Sequence, residues 1–204
     1  MKRLYKDIDN YYSEKLKIHG TTPKGVDWNN EESQFIRFEQ LSKIINSDGS
    51  VLNDIGCGYG KYLEYLVQYH KTIKYRGYDL SSEMIKEAFK KYPNNKFFHI
   101  SNLDEIQNAE YSISSGIFNV KMNYSKTKWL SYILATLKQI DLKSDKGFSF
   151  NMLTKYSEKK YMRNNLYYAD PLFFFDYCKK NFSRNVSLIH DYNLWEFTIL
   201  IRKY

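Results

Sequence analysis

The chain has 204 residues but only two cysteines, Cys57 and Cys178, and three prolines. So few cysteines exclude a disulfide framework and a cysteine-built metal cluster, and no metal site is expected. No apolar run approaches the roughly 18–20 residues that span a bilayer. The opening Met1-Lys2-Arg3-Leu4-Tyr5-Lys6-Asp7 lacks the apolar stretch of a signal peptide. The expected location is the cytoplasm, with no membrane partner. Blocks of like charge are missing too: the net charge of +8 comes from lysines interleaved with Asp and Glu. That pattern suits solvated helix faces and a field that steers an anionic small substrate; nucleic acid is not expected as a partner. Repeats, linkers and low-complexity segments are absent, which predicts one domain over 1–204. A hydrophobic content of 43% places the chain with ordinary globular proteins. Glycine is scarce as well, nine in all, yet three fall within five residues.

Those three lie in Val51-Leu52-Asn53-Asp54-Ile55-Gly56-Cys57-Gly58-Tyr59-Gly60. The segment reads as a short buried strand, then a turn, then a helix with Leu63, Leu66 and Val67 on one face. Glycine serves where the backbone takes positive φ or must approach a ligand without a side chain between. Alternate glycines between strand and helix therefore predict a ligand against bare main chain at a helix N-terminus. A dinucleotide fingerprint would place its third glycine where Lys61 stands. Asp54, two residues before the first glycine, would repel a pyrophosphate but suits an ammonium group.

Strand and helix patterns alternate from there to the C-terminus. Strands are expected over 51–55, 73–79, 96–100, 111–115, 147–153, 186–190 and 196–202. Between them, Met84, Ile85, Ala88, Phe89 and Tyr92 mark one helix, closed by Pro93. Trp129, Leu130, Ile133, Leu134 and Leu137 mark the next. A third, opened by Pro171, carries Phe173, Phe174, Tyr177 and Cys178. The expected fold is α/β: a Rossmann-like, seven-stranded, mostly parallel sheet with helices on both faces and a C-terminal antiparallel hairpin. Residues 1–49 read as a helical cap on a core over 50–204, with Phe35, Phe38, Leu41 and Ile45 on one helical face. In such a sheet the ligand lies beyond the carboxyl ends of the strands where strand order reverses. The second strand ends there in Asp79, nineteen residues past Gly60. An acid at that separation accepts both hydroxyl protons of a ribose; the plainer role is a helix N-terminal acid.

The pattern Asp-x-Gly-x-Gly-x-Gly over 54–60 resembles the first motif of class I S-adenosylmethionine-dependent methyltransferases. That resemblance implies S-adenosylmethionine as cofactor, with Asp54, Gly56, Cys57, Gly58, Gly60 and Asp79 around it. It implies Leu80 on the adenine, and Asn102, with Leu103, at the adenine amino group. The fourth strand ends in Ser114-Ser115-Gly116-Ile117-Phe118-Asn119, without the prolines of adenine and glutamine N-methyltransferases; Ser115 and Gly116 are implied beside the sulfonium. The segment 22–29, the run 115–119, 167–171, 181–185 and 190–192 resemble a subgroup of small bacterial methyltransferases associated with capsule and other surface-polysaccharide biosynthesis. Trp28 and Arg37 are then implied to close over the cofactor, with Arg37 toward its carboxylate.

The expected activity is methylation of a small molecule, an oxygen on a sugar or on a phosphorylated or phosphoramidate precursor of a surface polysaccharide. An alcohol acceptor benefits from a general base, and His190, Asp170 and Tyr168 are the candidates. His190 has the best-matched ordinary pKa, although such residues are more often structural, His190 as a strand end and Asp170 as the N-cap before Pro171. The rival readings are an RNA or protein methyltransferase and a cofactor-binding homologue without turnover.

Overall fold

The computed structural model describes residues 2–203 and arranges them around a seven-stranded sheet. Its strands are β1 (Val51–Ile55), β2 (Lys74–Asp79), β3 (Lys96–His99), β4 (Ala109–Ser114), β5 (Ser144–Leu153), β6 (Asn185–Ile189) and β7 (Glu196–Arg202). Their spatial order is β3-β2-β1-β4-β5-β7-β6. All pairings are parallel except those of β7 with β5 and β6. The short connection between β6 and β7 forces that reversal, since a parallel return needs a crossover of a dozen residues or more. The sequence expectation for the fold holds, with strand ends displaced by at most three residues.

Six helices flank the sheet: α1 (Lys2–His19), α2 (Glu31–Ser42), α3 (Lys61–Tyr69), α4 (Ser82–Lys91), α5 (Lys126–Leu142) and α6 (Pro171–Asn181). Side chains alternate across each strand, so the sheet serves two cores at once. Ile55, Tyr78, Phe148, Phe150 and Phe197 face α5 and α6, where Trp129, Ile133, Phe174 and Cys178 are fully buried. Leu52, Tyr75, Phe97 and Ile113 face α2, α3 and α4, where Phe38, Leu41, Leu66 and Ala88 pack.

Three residues expected in the core are not in it. Val67, Phe89 and Phe173 are largely exposed, because the buried faces centre instead on Tyr62–Leu63–Tyr65–Leu66, on Met84–Ile85–Ala88 and on Phe174–Cys178. A helix turns 100° per residue, and one extra apolar position at the edge of a stripe falls outside the contact.

The N-terminal helix α1 has no counterpart in the sequence expectations beyond a generic cap. It crosses the carboxyl end of the sheet. Leu4 joins the α5 core, Ile8 and Tyr12 hang over the strand ends, and Leu16 packs with Tyr59 and Met84. These four residues recur every fourth position, the spacing of one helical face.

Trp129 is the largest fully buried side chain, and its indole N–H donates to the Phe118 carbonyl at 2.7 Å. It thereby ties α5 to the loop that follows β4. Trp129→Ala removes both packing and that bond, and should cost about 3–5 kcal/mol of stability. Urea denaturation followed by circular dichroism checks this; a loss under 1 kcal/mol would show that the core collapses around the gap.

Candidate functional site

Strand order reverses between β1 and β4, and the main crevice opens there, about 960 Å³ with its open mouth included. Its floor is the glycine turn. The Gly56 and Cys57 N–H groups both donate to the Tyr78 carbonyl, at 2.8 and 3.1 Å, which hooks the turn to β2. Gly56 (φ 78°) and Gly58 (φ 54°) take left-handed backbone. A Cβ on Gly56 would stand 2.2 Å from the Ile117 Cγ2 atom, so the bare backbone of the turn packs directly on the Ile117 side chain of the β4 loop. At Gly58 a Cβ would point among crevice residues, 3.3 Å from Val26.

Asp79 closes the opposite wall. Its two carboxylate oxygens accept from the Gly58 and Ser81 backbone N–H groups, each at 2.8 Å. Burial raises its pKa, while those two donors pull the other way. Asp54 lies deeper, fully buried, with Tyr75 Oη donating to it at 2.8 Å. Desolvation pushes its pKa up to about 7, against the pull of the Tyr75 hydrogen bond, and neighbouring Asp79 adds to the rise. Folding thus raises this carboxyl from 3.8 in the exposed chain. The native state holds the proton more tightly, so this group's contribution to stability declines as pH climbs from about 4 to about 7. A cationic ligand would reverse that penalty.

Four residues of the lining carry buried polar atoms without partners among the described residues: Gln34 Oε1, from α2, the Tyr59 and Tyr78 hydroxyls and Ser115 Oγ. The Gln34 and Tyr59 side chains are almost fully buried. A buried polar atom without a partner costs about 1–3 kcal/mol, so these atoms are suited to a ligand that brings its own polar groups. Much of the remaining lining is apolar, with Ile8 and Tyr12 from α1, Leu80, Met84, Ile100 and Leu103, while Lys61 adds one cation. A metal centre is not formed: among the described residues no cluster of three metal-ligating side chains occurs.

Of the residues expected to hold a cofactor, Asp54, Gly56, Cys57, Gly58, Asp79, Leu80, Leu103, Ser115, Gly116 and Trp28 all line this crevice. Three others do not. Gly60 is the N-cap of α3, and its Cβ direction runs into Phe97 and Tyr92 beneath the turn. Asn102 caps a 3₁₀ turn, Leu103–Glu105, where its oxygen accepts from Asp104 N–H and its amide donates to Glu105. Arg37 points elsewhere altogether. Its guanidinium grips Glu196 at the start of β7 through Nε and Nη2, at 2.9 and 2.8 Å, and donates to the Ser33 carbonyl at 2.5 Å.

That buried ion pair anchors a chain of contacts. Asn151 of β5 donates to Glu196 and accepts from the Gly116 N–H at 2.8 Å. The Arg37 guanidinium also stacks 3.9 Å over the Trp28 ring, and a Gly116 Cβ would stand 2.3 Å from the Cζ2 atom of that ring. Arg37 therefore shapes the β4 turn from behind.

The expected bases are placed as follows. Asp170 is the N-cap of α6 and pairs with Lys155 at 2.8 Å, which holds its pKa below the usual range. His190 is exposed and packs on Tyr156 and Phe197. It follows β6, the outer edge of the sheet, four strand positions from β1 and so about 19 Å across. Neither lines the crevice. Tyr168 lines a second basin, which shares Tyr12, Val26, Trp28 and Gly116 with the crevice. The sequence reading missed Gln34, Tyr59, Ile8 and Tyr12; for Ile8 and Tyr12 the four-residue periodicity of α1 was the available signal.

Arg37→Met should strand Glu196 in the interior and cost about 3–5 kcal/mol. The double variant Arg37→Met/Glu196→Leu should recover most of that loss in thermal denaturation. A single variant as stable as the parent would remove the pair from its anchoring role.

Comparison with known proteins agrees with this architecture. Residues 53–140 match the family model described as a methyltransferase domain. The plantazolicin methyltransferase BpumL, crystallised with S-adenosylhomocysteine and a triazolic substrate analogue, superposes with a TM-score of 0.66 at 13% identity, over 100% of both chains. Magnesium protoporphyrin IX methyltransferase from Synechocystis PCC 6803, with bound S-adenosylhomocysteine, gives 0.64 at 15% identity, over 98% of this chain and 99% of its own. At such identities the likeness is one of fold. The Mycobacterium tuberculosis protein Rv1506c, whose name assigns it to the methyltransferases, is 46% identical over 165 residues, 79% of this chain and 98% of its own length. On that relationship, the chain belongs to the methyltransferases.

Proposed function

We propose that the protein transfers a methyl group from S-adenosylmethionine to a small-molecule acceptor. The carrying observation is the crevice itself: a carboxylate on β2, a glycine turn at β1 and unpartnered polar atoms together at the reversal point of the sheet. Asp79 receives the ribose hydroxyls, exchanging its present backbone donors for them. Leu80, Ile100 and Leu103 supply an apolar slot for the adenine. At the other end, Asp54 and the Gln34 amide oxygen accept from the ammonium while the Tyr59 hydroxyl donates to the carboxylate. The bound cofactor supplies an electrophilic methyl carbon on a positively charged sulfur.

This chain's own contribution to the step is alignment and exclusion of water. The α1 residues Ile8 and Tyr12 cover the crevice, and Trp28 forms the partition toward the second basin. None of the three expected bases lines the crevice, and Tyr168 alone reaches the neighbouring basin. That arrangement favours an acceptor whose attacking atom is already electron-rich over an unactivated alcohol. An oxygen on a phosphorylated or phosphoramidate precursor of a surface polysaccharide fits that requirement, and the net charge of +8 suits an anionic substrate.

The decisive experiment is incubation with methyl-labelled S-adenosylmethionine and a panel of sugar nucleotides and sugar phosphates, with product read by mass spectrometry. Binding of S-adenosylhomocysteine without label transfer to any acceptor would support a binding homologue; transfer to RNA or protein alone would support the macromolecular reading.

Two binding predictions separate the ends of the crevice. Asp79→Ala should weaken both S-adenosylhomocysteine and 5′-methylthioadenosine, which share the ribose, by about 1–3 kcal/mol in calorimetry. Unchanged affinity for either would remove Asp79 from the ribose. Asp54 bears on the amino-acid end, which 5′-methylthioadenosine lacks. Since an ammonium ligand selects ionised Asp54, affinity for S-adenosylhomocysteine should rise as pH climbs through about 7 and then level off. Asp54→Asn should flatten that rise and leave 5′-methylthioadenosine unaffected; a pH profile identical to the parent's would sink the assignment.

A further inference from the structure

The second basin encloses about 1170 Å³ with its mouth included and touches the crevice only at Tyr12, Val26, Trp28 and Gly116. Its composition differs sharply from the crevice. Two of its aromatic rings, Trp195 and Tyr161, stand 50% and 64% exposed, although neither is needed to seal a core. Exposed aromatic faces around a concavity are a recurrent way to hold a flat ring.

Its charges are unequal in availability. Arg37 and Glu196 neutralise each other on the floor. Asp27 is engaged by Lys15 at 2.7 Å and by the Tyr11 hydroxyl at 2.5 Å. Arg163 is the remaining charged residue of the lining; it is exposed and has no ion-pair partner among the described residues. Its backbone, by contrast, is fixed: the Arg163 N–H donates to the Tyr168 hydroxyl at 3.0 Å, and Leu166 bridges to Val120. Of the lysines on the same segment, Lys155 pairs with Asp170 and Lys160 with Glu158, at 2.8 and 2.9 Å, so their charge is already matched. A free guanidinium fork matches the planar, bidentate geometry of a phosphate.

We propose that this basin receives an acceptor made of a ring bearing a phosphate, with Trp195 and Tyr161 against one face of the ring and Arg163 on the phosphate. The inference rests on the methyl-transfer reading for its meaning, but the basin is formed without a cofactor and can be tested apart from it. Ring phosphates of two kinds share this chemistry, saccharide and aromatic, and the test distinguishes them.

Tryptophan fluorescence reads the basin directly: Trp28 and Trp195 line it, whereas Trp129 is sealed in the core. Glucose 1-phosphate and phenyl phosphate are titrated beside their uncharged counterparts, methyl glucoside and phenol, with and without saturating S-adenosylhomocysteine. At least one phosphate should bind tenfold or more tightly than its uncharged partner. Arg163→Ala, at an exposed position, should abolish that difference while leaving S-adenosylhomocysteine affinity unchanged. Trp195→Ala should weaken the charged and uncharged members of the binding pair alike. Preference for glucose 1-phosphate identifies a saccharide acceptor, and preference for phenyl phosphate an aromatic one. The proposal is overturned if neither phosphate binds under either condition, or if Arg163→Ala binds them as the parent does. Failure of S-adenosylhomocysteine to bind would instead strike the cofactor reading and leave the cofactor-free titration to decide this one.

Discussion

The buried pairing of Arg37 with Glu196 is the contact on which the geometry of the site depends. It joins α2 to the start of β7, and through Asn151 it reaches the backbone N–H of Gly116 at the end of β4. Two opposite charges removed from water are tolerable only when their remaining hydrogen-bonding capacity is met. Here the Ser33 carbonyl and the Asn151 amide meet it. The same guanidinium supports Trp28, which closes the space over Gly116. One ion pair therefore positions both the loop that follows β4 and the partition between crevice and basin.

The crevice proper is organised on the opposite principle, with polar groups left incompletely satisfied. Burial pushes the Asp54 pKa up to about 7, and Gln34 and Tyr59 keep unpartnered atoms. Such groups reduce the stability of the empty protein, and a ligand carrying an ammonium and a carboxylate compensates them. Asp79 is the intermediate case, its carboxylate occupied by two backbone donors that a ribose can replace.

How much of this was legible in the sequence follows the range of the forces involved. The strands of the sheet and the helices between them could be read because alternation and 3.6-residue periodicity are local signals. The glycine turn and Asp79 were legible because positive φ at Gly56 and Gly58 and the strand-end carboxylate are each dictated within a few residues. Helix α1 was also written locally, as Leu4, Ile8, Tyr12 and Leu16, but the lysines and acids between them obscured the stripe. The residues that the structure places outside the crevice share a different cause. Arg37 could have served a ligand carboxylate or a protein one, and Glu196, 159 positions away, took it. Asn102 was claimed by its own turn through Glu105, and His190 was carried to the edge of the sheet by the order of the last two strands.

The sequence by itself determined the α/β architecture, the glycine turn with its carboxylates, and a surplus of positive charge, since each depends on neighbours in the chain. Only the tertiary structure decided which polar groups remain free for a ligand. That is a question of pairing across long separations: Arg37 is consumed by Glu196, whereas Gln34, Tyr59 and Arg163 stay available. Burial and partnership are properties of the packed molecule, and no local pattern of residues encodes them.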